Sequence, residues 1–261
     1  MSVPAGGSRG NLVCDLDGVV YLTQTAVPGA GAALQALEER GYRIIFATNA
    51  PIRLPAEVAA HIAAVGGYRA RPEQVVTSAM AAASVLSSAD APVLVVGEGG
   101  LGPTLEAAGL ALSPDPDEAR SVVVGLDRQL TYDHLRRATR AVLGGARLIA
   151  CNADPTYPTE SGLWPGGGAI VAAVEAASGR RAEVVGKPYP AMTALVRRAL
   201  GPGPTWVVGD RPETDLALGC DENWTTVLVL TGVIRDPAEV PQHLRADIVV
   251  PSLAHLPDRL P

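Results

Sequence analysis

The sequence predicts an α/β fold, a doubly wound and mostly parallel sheet with helices on both faces. Short apolar runs rich in Val and Ile alternate with Ala- and Leu-rich helical stretches along nearly the whole chain. This alternation is typical of parallel strands joined by crossover helices. Pro- and Gly-rich loops separate these stretches, without repeats or low-complexity tracts. With 261 residues, the chain can form one large domain or two of modest size.

The predicted elements follow this alternation in chain order. The first helix is expected at 29–39. Ala33, Leu34 and Leu37 fall on one face of it, and Gly41 suits the left-handed conformation that often follows a helix end. Each strand is predicted from a β-rich apolar run bounded by turn residues. The strands are expected at 12–15, 43–47, 93–96, 122–125, 147–151, 183–185, 205–208, 226–230 and 247–249.

The composition excludes several classes of partner. No stretch approaches the roughly 20 consecutive apolar residues of a membrane-spanning helix, so no membrane partner is expected. The net charge of −6, without a Lys/Arg cluster, argues against nucleic acid and anionic lipid. A small molecule is therefore the expected partner. The sequence leaves the oligomeric state open, a homodimer included.

Cysteine usage and the first residues predict a cytoplasmic location. Cys14, Cys151 and Cys220 are an odd number at wide spacing, each within or beside an apolar run, which predicts buried reduced thiols. Residues 1–10, MSVPAGGSRG, contain no apolar export segment and are expected to form a short flexible arm before the first strand.

Two acids stand at the end of the first predicted strand, in the segment CDLDGVV. Asp15 and Asp17 are two residues apart in extended chain, so their carboxylates leave the strand on the same side. Open α/β sheets bind ligands at this end of their strands, and two acids there repel each other unless a cation or a proton intervenes. Alone, such a pair is more often an ordinary acidic strand end. Its meaning depends on three other segments.

Each of those segments also ends a strand with polar residues. RIIFATNAP ends in Thr48 and Asn49, whose hydroxyl, amide and backbone N–H groups suit phosphate oxygens. VVGKPYP places Lys187 where an ammonium neutralises negative charge on phosphate and nucleophile. WVVGDRPETD ends in Asp210, with Asp215 five residues later. Each segment alone is a common surface feature.

Together the acids predict a magnesium site. Oxygen ligands suit Mg²⁺, and Asp15, Asp210 and the backbone carbonyl of Asp17 would supply part of its shell, with phosphate and water completing it. Asp215 is expected either as a direct ligand or as support for one.

In order, DLDGV, TNA, GKP and GDRPETD resemble the four signature segments of the haloacid dehalogenase (HAD) superfamily. The wider pattern, from VCDLDGVVY to VLVLTGV, is similar to the NagD-like and 4-nitrophenylphosphatase-like subfamily (class IIA) and spans most of the chain. The resemblance implies a Rossmann-like core, an inserted smaller α/β cap domain of the C2 type, Mg²⁺ as cofactor, and a phosphatase. We place the core at 1–87 and 183–261 and the cap at 88–182, because only Thr48 to Lys187 leaves room for an inserted domain.

The resemblance also implies roles for the site residues. Asp15 would attack phosphorus and form an aspartyl phosphate that water hydrolyses, while Asp17 would act as general acid and then general base. Thr48 and Lys187 would hold the transferring group, and Asp15 and Asp210 would bind the metal.

The cap loop is the expected source of specificity. CNADPTYP resembles the loop that the family aims into the active site, which makes Asn152 and Asp154 candidates for substrate contact. A polar turn capping a strand explains the same residues. Pro165 and the glycines at 166–168 precede a helix expected from Ala169, and we interpret them as a hinge or turn.

Some positions depart from the family pattern. Ala50 and Pro51 stand where a second Asn and a small hydroxyl residue are usual, so Asn49 is a candidate for positioning the nucleophile or a cap residue. CNAD replaces a more usual TNPD. Asn223 stands where Gly is expected, which a left-handed conformation would tolerate.

Alternative functions remain open at this stage. A G-x-G-x-x-G pattern at Gly97, Gly99 and Gly102 fits a dinucleotide site, but its helix is short and no acid follows at a second strand tip. Within the superfamily, a phosphotransferase or mutase would use the same residues. A catalytically silent phosphometabolite-binding protein is a third reading, and a phosphoaspartate-receiving domain would be about half this length. Expected substrates are phosphoglycolate, glycerol phosphate, a sugar phosphate, a nucleoside monophosphate or 4-nitrophenyl phosphate.

Overall fold

The computed structural model describes residues 9–261, so the predicted arm at 1–10 lies outside the described residues except for Arg9 and Gly10. The strands are β1 (Gly10–Cys14), β2 (Tyr21–Leu22), β3 (Thr25–Ala26), β4 (Tyr42–Thr48), β5 (Val75–Thr77), β6 (Val93–Val96), β7 (Ser121–Val124), β8 (Arg147–Ala150), β9 (Thr156–Thr159), β10 (Gly162–Pro165), β11 (Glu183–Val184), β12 (Thr205–Gly209), β13 (Thr225–Val229) and β14 (Ile248–Val250). The α-helices are α1 (Ala30–Glu39), α2 (Pro55–His61), α3 (Ser78–Ser84), α4 (Leu101–Ala107), α5 (Tyr132–Leu143), α6 (Gly167–Ser178), α7 (Pro190–Ala199) and α8 (Ala217–Glu222).

A six-stranded parallel sheet forms the core, in the order β14-β13-β12-β1-β4-β5. β1 lies between β12 and β4, and both of its faces are buried. Leu12 and Cys14 join an apolar cluster on one face, whereas Val13 joins the cluster on the other. Burial on both faces is the reason why these strands are continuous apolar runs. The predicted α/β fold with a mostly parallel sheet is confirmed.

A second, four-stranded parallel sheet follows the order β11-β8-β7-β6. α5 and α6 cover one of its faces. Its other face contributes Val123 and Ile149 to the same apolar cluster as Ile45 and Val76 of the core sheet. β11 pairs with β8, so Glu183–Val184 belongs to this sheet, although we assigned 183–261 to the core. By strand pairing, the second sheet therefore extends one strand, β11, beyond the predicted boundary at residue 182.

All nine predicted strands occur within two residues of their expected bounds, but five others were missed. β5 is only three residues long, and β2–β3 and β9–β10 form two short antiparallel hairpins. The hairpin strand β10 includes Pro165, which we interpreted as part of a hinge or turn. Its Pro165 is the last residue of the strand, and α6 begins at Gly167, two residues before the expected Ala169.

Three local predictions can be compared with the backbone and with side-chain burial. Gly41 (φ 91°) and Asn223 (φ 55°) are left-handed, as expected. Cys14 and Cys151 are buried free thiols, but Cys220 is exposed, so the prediction of a buried thiol was wrong there. Cys220 lies near the C-terminal end of α8, and its side chain is exposed although it stands beside an apolar run in the sequence. Across residues 9–261, no helix has the length and apolar character to cross a membrane.

Candidate active site

Three neighbouring strands of the core sheet end in the predicted site residues. β1 is followed by Asp15, β4 ends in Thr48, and β12 is followed by Asp210. Cys14 is in register with Val208 on one side and Phe46 on the other, so the three strand ends lie at one edge of the sheet. From β1 the chain continues to β4 and β5 on one side, and β12 to β14 are added later on the other side, so the strand order reverses next to β1. Open α/β sheets bind ligands at such a point.

Lys187 reaches this edge from the second sheet, since it follows β11. Its ammonium is buried and lies 2.6 Å from Asp15 Oδ1, 2.7 Å from Asp215 Oδ1 and 2.7 Å from the Ala47 carbonyl. Burial opposes the charged form, but the two carboxylates outweigh it and raise the pKa of Lys187. It is also the only lysine among the 21 basic residues of the chain.

Asp210 and Asp215 are held by backbone donors. Val233 N donates to Asp210 Oδ2 at 2.6 Å, and Arg211 N donates to Asp215 Oδ2 at 3.1 Å. Two glycines make room for them. A Cβ at Gly232 would lie 1.9 Å from Asp210 Oδ2, and one at Gly209 would lie 2.2 Å from the Asp215 carboxyl group. Neither position can therefore carry a side chain without moving an acid.

Asp15, Asp210 and Asp215 form a cluster that fits a divalent cation. One carboxylate oxygen from each lies within 4.8 Å of the others. Burial, followed by the charge of neighbouring acids, raises the pKa of Asp210 to about 7. Burial also raises the pKa of Asp15 well above its ordinary value, although Lys187 opposes this. Three carboxylates beside one ammonium leave a net negative charge, which a hard cation such as Mg²⁺ can neutralise.

Asp17 lies in the same cavity but outside this cluster. Burial raises the pKa of its carboxyl group to about 6, against the lowering effect of Arg53 and Lys187. Gly18 (φ 86°) then turns the chain, and a Cβ there would lie 2.5 Å from Asp210 Oδ2. Because Asp17 lies outside the acid cluster, its carboxyl group is available to hold a proton and release it.

Thr48 and Asn49 differ in what they contact. The Thr48 hydroxyl accepts a hydrogen bond from Ala50 N at 3.0 Å. Asn49 connects several segments: its Oδ1 accepts from Lys187 N at 2.7 Å and its Nδ2 donates to Asp154 at 3.1 Å. Asn152 Nδ2 also donates to the Asn49 carbonyl at 2.8 Å. The geometry places Asn49 between the Lys187 loop and the cap loop.

The cap loop meets the core through Asp154. Arg211 Nη2 donates to the Thr156 carbonyl at 2.8 Å, and Arg211 Nε lies 3.9 Å from Asp154 Oδ1. Burial raises the pKa of Asp154, while Arg211 and Asn49 oppose this. Asn152 is buried and points at backbone of the core. Asn152 therefore connects the cap loop to the core, and Asp154 connects them too and also lines the cavity.

Every residue predicted for the site lines one cavity of about 120 Å³. Those residues are Asp15, Asp17, Thr48, Asn49, Asn152, Asp154, Lys187, Asp210 and Asp215. Three arginines and one tyrosine that sequence reasoning missed also line it: Arg53, Arg128, Arg211 and Tyr157. Arg211 lies inside the quoted segment GDRPETD and was a usable signal. The other three reach the cavity from loops or a short hairpin, where neither periodicity nor a strand end marks them.

The G-x-G-x-x-G segment packs against the core. A Cβ at Gly99 would lie 2.1 Å from the Ile52 carbonyl oxygen, and one at Gly100 would lie 2.5 Å from the backbone of Arg53. Gly100 N also donates to the Ile52 carbonyl at 2.9 Å. These glycines allow close approach of two backbones, so the pattern has a packing explanation that needs no dinucleotide.

Two family models match the chain: haloacid dehalogenase-like hydrolase over residues 12–111 and HAD-hydrolase-like over residues 184–256. Among curated proteins, chronophin of Mus musculus is 39% identical over 241 residues, covering 87% of this chain and 82% of chronophin.

Three solved structures, two of them phosphatases, share the fold of this chain. A p-nitrophenyl phosphatase from Archaeoglobus fulgidus has a TM-score of 0.85 at 32% identity, covering 97% of this chain and 100% of its own. A glycerol phosphate phosphatase from Mycobacterium tuberculosis, solved with magnesium, has a TM-score of 0.84 at 35% identity, covering 96% and 78%. NagD from E. coli has a TM-score of 0.80 at 32% identity, covering 95% and 98%.

Proposed function

This chain belongs to the haloacid dehalogenase-like hydrolases, in their NagD-like group of phosphatases, and from that premise we propose that it is a Mg²⁺-dependent hydrolase of small phosphomonoesters that works through an aspartyl phosphate on Asp15. One observation carries the proposal. Asp15 lies at the carboxyl end of β1, 2.6 Å from a buried ammonium and beside two further acids, and it lines a cavity together with residues of both parallel sheets' loops.

Asp15 and Asp210 would hold the magnesium ion, with the Asp17 backbone. Both Asp215 oxygens already have partners in Lys187 Nζ and Arg211 N, so we assign Asp215 to holding Lys187 instead of the metal. When bound, the ion would neutralise the acids and screen the repulsion between the anionic nucleophile and the phosphate.

The side chains divide the chemistry among them. Asp15 attacks phosphorus, and the bond to the leaving oxygen breaks as the aspartyl phosphate forms. Asp17 gives its proton to that oxygen and then takes one from the water that hydrolyses the intermediate. A pKa of about 6 suits both roles near neutral pH. Lys187 and Thr48 bind phosphate oxygens, and Asn49 orients the Lys187 loop.

The cap would exclude water and contact the leaving group. Hydrogen bonds join the cap to the core at the cavity, through Asn49, Asn152, Asp154 and Arg211. These bonds support a closed site for a small phosphate ester. We propose no nucleic acid or membrane partner, and we keep the cytoplasmic location as a proposal. A phosphotransferase would use the same residues but pass phosphate to a second hydroxyl, and no residue of the cavity singles out such an acceptor.

The function is tested by phosphate release from 4-nitrophenyl phosphate. We expect turnover with Mg²⁺, none after EDTA, and recovery when Mg²⁺ is restored, because the acid cluster then regains its cation. Adding a sugar or glycerol as acceptor should not divert phosphate from water. Turnover that EDTA leaves unchanged would contradict the metal requirement, and transfer to the acceptor would favour the phosphotransferase.

A further inference from the structure

Two short hairpins form part of the cavity wall, one from the core and one from the cap. Thr23 and Gln24, the turn of the hairpin β2–β3, line the cavity from the core. Tyr157 and Pro158, in the hairpin β9–β10, line it from the cap. We call these the core hairpin and the cap hairpin. A change in the distance between them would therefore change the width of the cavity.

Glu160, at the tip of the cap hairpin, connects the two hairpins. Its Oε1 accepts a hydrogen bond from Gln24 N at 3.0 Å and another from the Thr25 hydroxyl at 3.2 Å. Glu160 is exposed and stands outside the cavity lining. Because both bonds are exposed to solvent, water can replace them when the hairpins separate.

The core hairpin is held in place by α2. His61 Nε2 donates to the Thr23 carbonyl at 2.8 Å, and the His61 ring packs edge-on against Tyr21 with the centroids 4.7 Å apart. Thr23 has a φ of 50°, a left-handed conformation that is strained for a β-branched residue. The turn therefore needs partners to hold its shape, and His61 is one of them.

The cap hairpin is held mainly at its base. Gly166 N donates to the Pro155 carbonyl at 2.9 Å, which closes the base. Arg211 Nη2 donates to the Thr156 carbonyl at 2.8 Å, which attaches the base to the core. None of residues 156–165 belongs to the buried apolar clusters formed within residues 9–261, and all four residues of β10 are exposed. The tip can therefore move while the base stays fixed.

The rest of the cap is attached to the core more firmly. Val123 and Ile149 of the second sheet are fully buried in one apolar cluster with residues of the core sheet. Gly100 N donates to the Ile52 carbonyl at 2.9 Å. Moving the whole cap would expose that cluster to water, whereas moving the hairpin tip breaks two exposed hydrogen bonds. Movement of the tip therefore costs less free energy.

We propose that Glu160 is a clasp at the mouth of the cavity. The tip of the cap hairpin leaves the core hairpin to admit a phosphate ester and to release product, while the rest of the cap stays docked. The clasp thereby limits the size of the leaving group that enters. Glu160 acts through the two hairpins, so it is a positioning residue. The inference rests on the proposed phosphatase function and adds to it the way in which the site opens.

Hydrogen exchange at two backbone amides tests the movement without any turnover. The Gln24 amide donates across the clasp, and the Gly100 amide donates across the docked part of the cap. We expect Glu160→Ala to speed exchange at Gln24 by at least about tenfold and to leave Gly100 protected. Glu160→Gln keeps an acceptor oxygen, so exchange at Gln24 should stay close to wild type. Equal loss of protection at Gly100 would mean that the whole cap opens, which would overturn the proposal.

Two aryl esters of different size test the function of the clasp. 3-O-Methylfluorescein phosphate has a much larger leaving group than 4-nitrophenyl phosphate. We expect the wild-type protein to favour the smaller ester by at least about tenfold in kcat/KM, and Glu160→Ala to reduce that ratio by at least about fivefold through faster turnover of the larger ester. Glu160→Gln should keep most of the wild-type ratio. Glu106→Ala, at an exposed acid of α4 outside the cavity, is the matched control and should keep all of it.

Two kinetic results would also overturn the proposal. One is a ratio that Glu160→Ala leaves unchanged. The other is an equal loss of kcat/KM on both esters, which would mean that Glu160 only supports the fold. If the wild-type protein hydrolyses neither ester, the phosphatase function has failed, and exchange at Gln24 and Gly100 still decides whether the hairpin moves by itself.

Discussion

Replacing Asp15 with Asn is expected to abolish phosphate release, with kcat falling by at least about 10⁴-fold, because the amide cannot form the aspartyl phosphate. The substitution removes one of three neighbouring acids and leaves Lys187 paired with Asp215. The fold should therefore persist, and the melting temperature should not fall. Turnover of 4-nitrophenyl phosphate and a thermal melt measure the two effects.

The control is Asp221→Asn, the same change at an exposed acid of α8 outside the cavity. It should leave turnover unchanged. If Asp15→Asn retains more than a few per cent of wild-type turnover after purification free of contaminating phosphatase, another group is the nucleophile and the assignment of Asp15 is wrong.

Replacing Lys187 with Met should reduce both stability and activity. The change leaves Asp15 and Asp215 buried without their cation, and breaking a buried ion pair from one side costs roughly 3–5 kcal/mol. We expect a decrease of that order in the free energy of unfolding, measured with urea, and a fall in kcat of at least about 10³-fold from the lost phosphate contact. Arg198→Met, an exposed cation of α7, is the control.

A second substitution separates the electrostatic cause from lost packing. Asp215→Asn in the Lys187→Met background removes one of the unpaired charges, so it should recover part of the free energy of unfolding but none of the activity. If the double variant is no more stable than Lys187→Met, the loss came from packing of the lysine stem and not from an uncompensated charge.

The core of the site could be predicted because parallel strands bring their carboxyl ends to one edge. Asp15, Thr48 and Asp210 each end a buried apolar run, so their positions along the chain already implied their proximity in space. Lys187 follows a strand of the other sheet, and it was nominated from its position after an apolar run and then from the resemblance to the family. That it is the only lysine was a further signal in the composition.

The outer part of the site could not be predicted in this way. Arg53 and Arg128 both line the cavity, and the backbone at Gly99 and Gly100 docks on the loop after β4, a contact between residues distant in sequence. The hairpin β9–β10 is mostly exposed in its second strand, so it has no burial pattern to mark it. β5 was missed because three residues are too few for a periodic signal.

The proposed mechanism depends on a covalent bond between Asp15 and phosphorus, which chemical trapping detects directly. Protein turning over 4-nitrophenyl phosphate with Mg²⁺ is quenched and treated with borohydride, which reduces an acyl phosphate to an alcohol and so converts the phosphorylated aspartate to homoserine. Peptide mass spectrometry should then find homoserine at position 15, and only in samples that received both substrate and metal. Homoserine at another acid, or none during active turnover, would contradict the account.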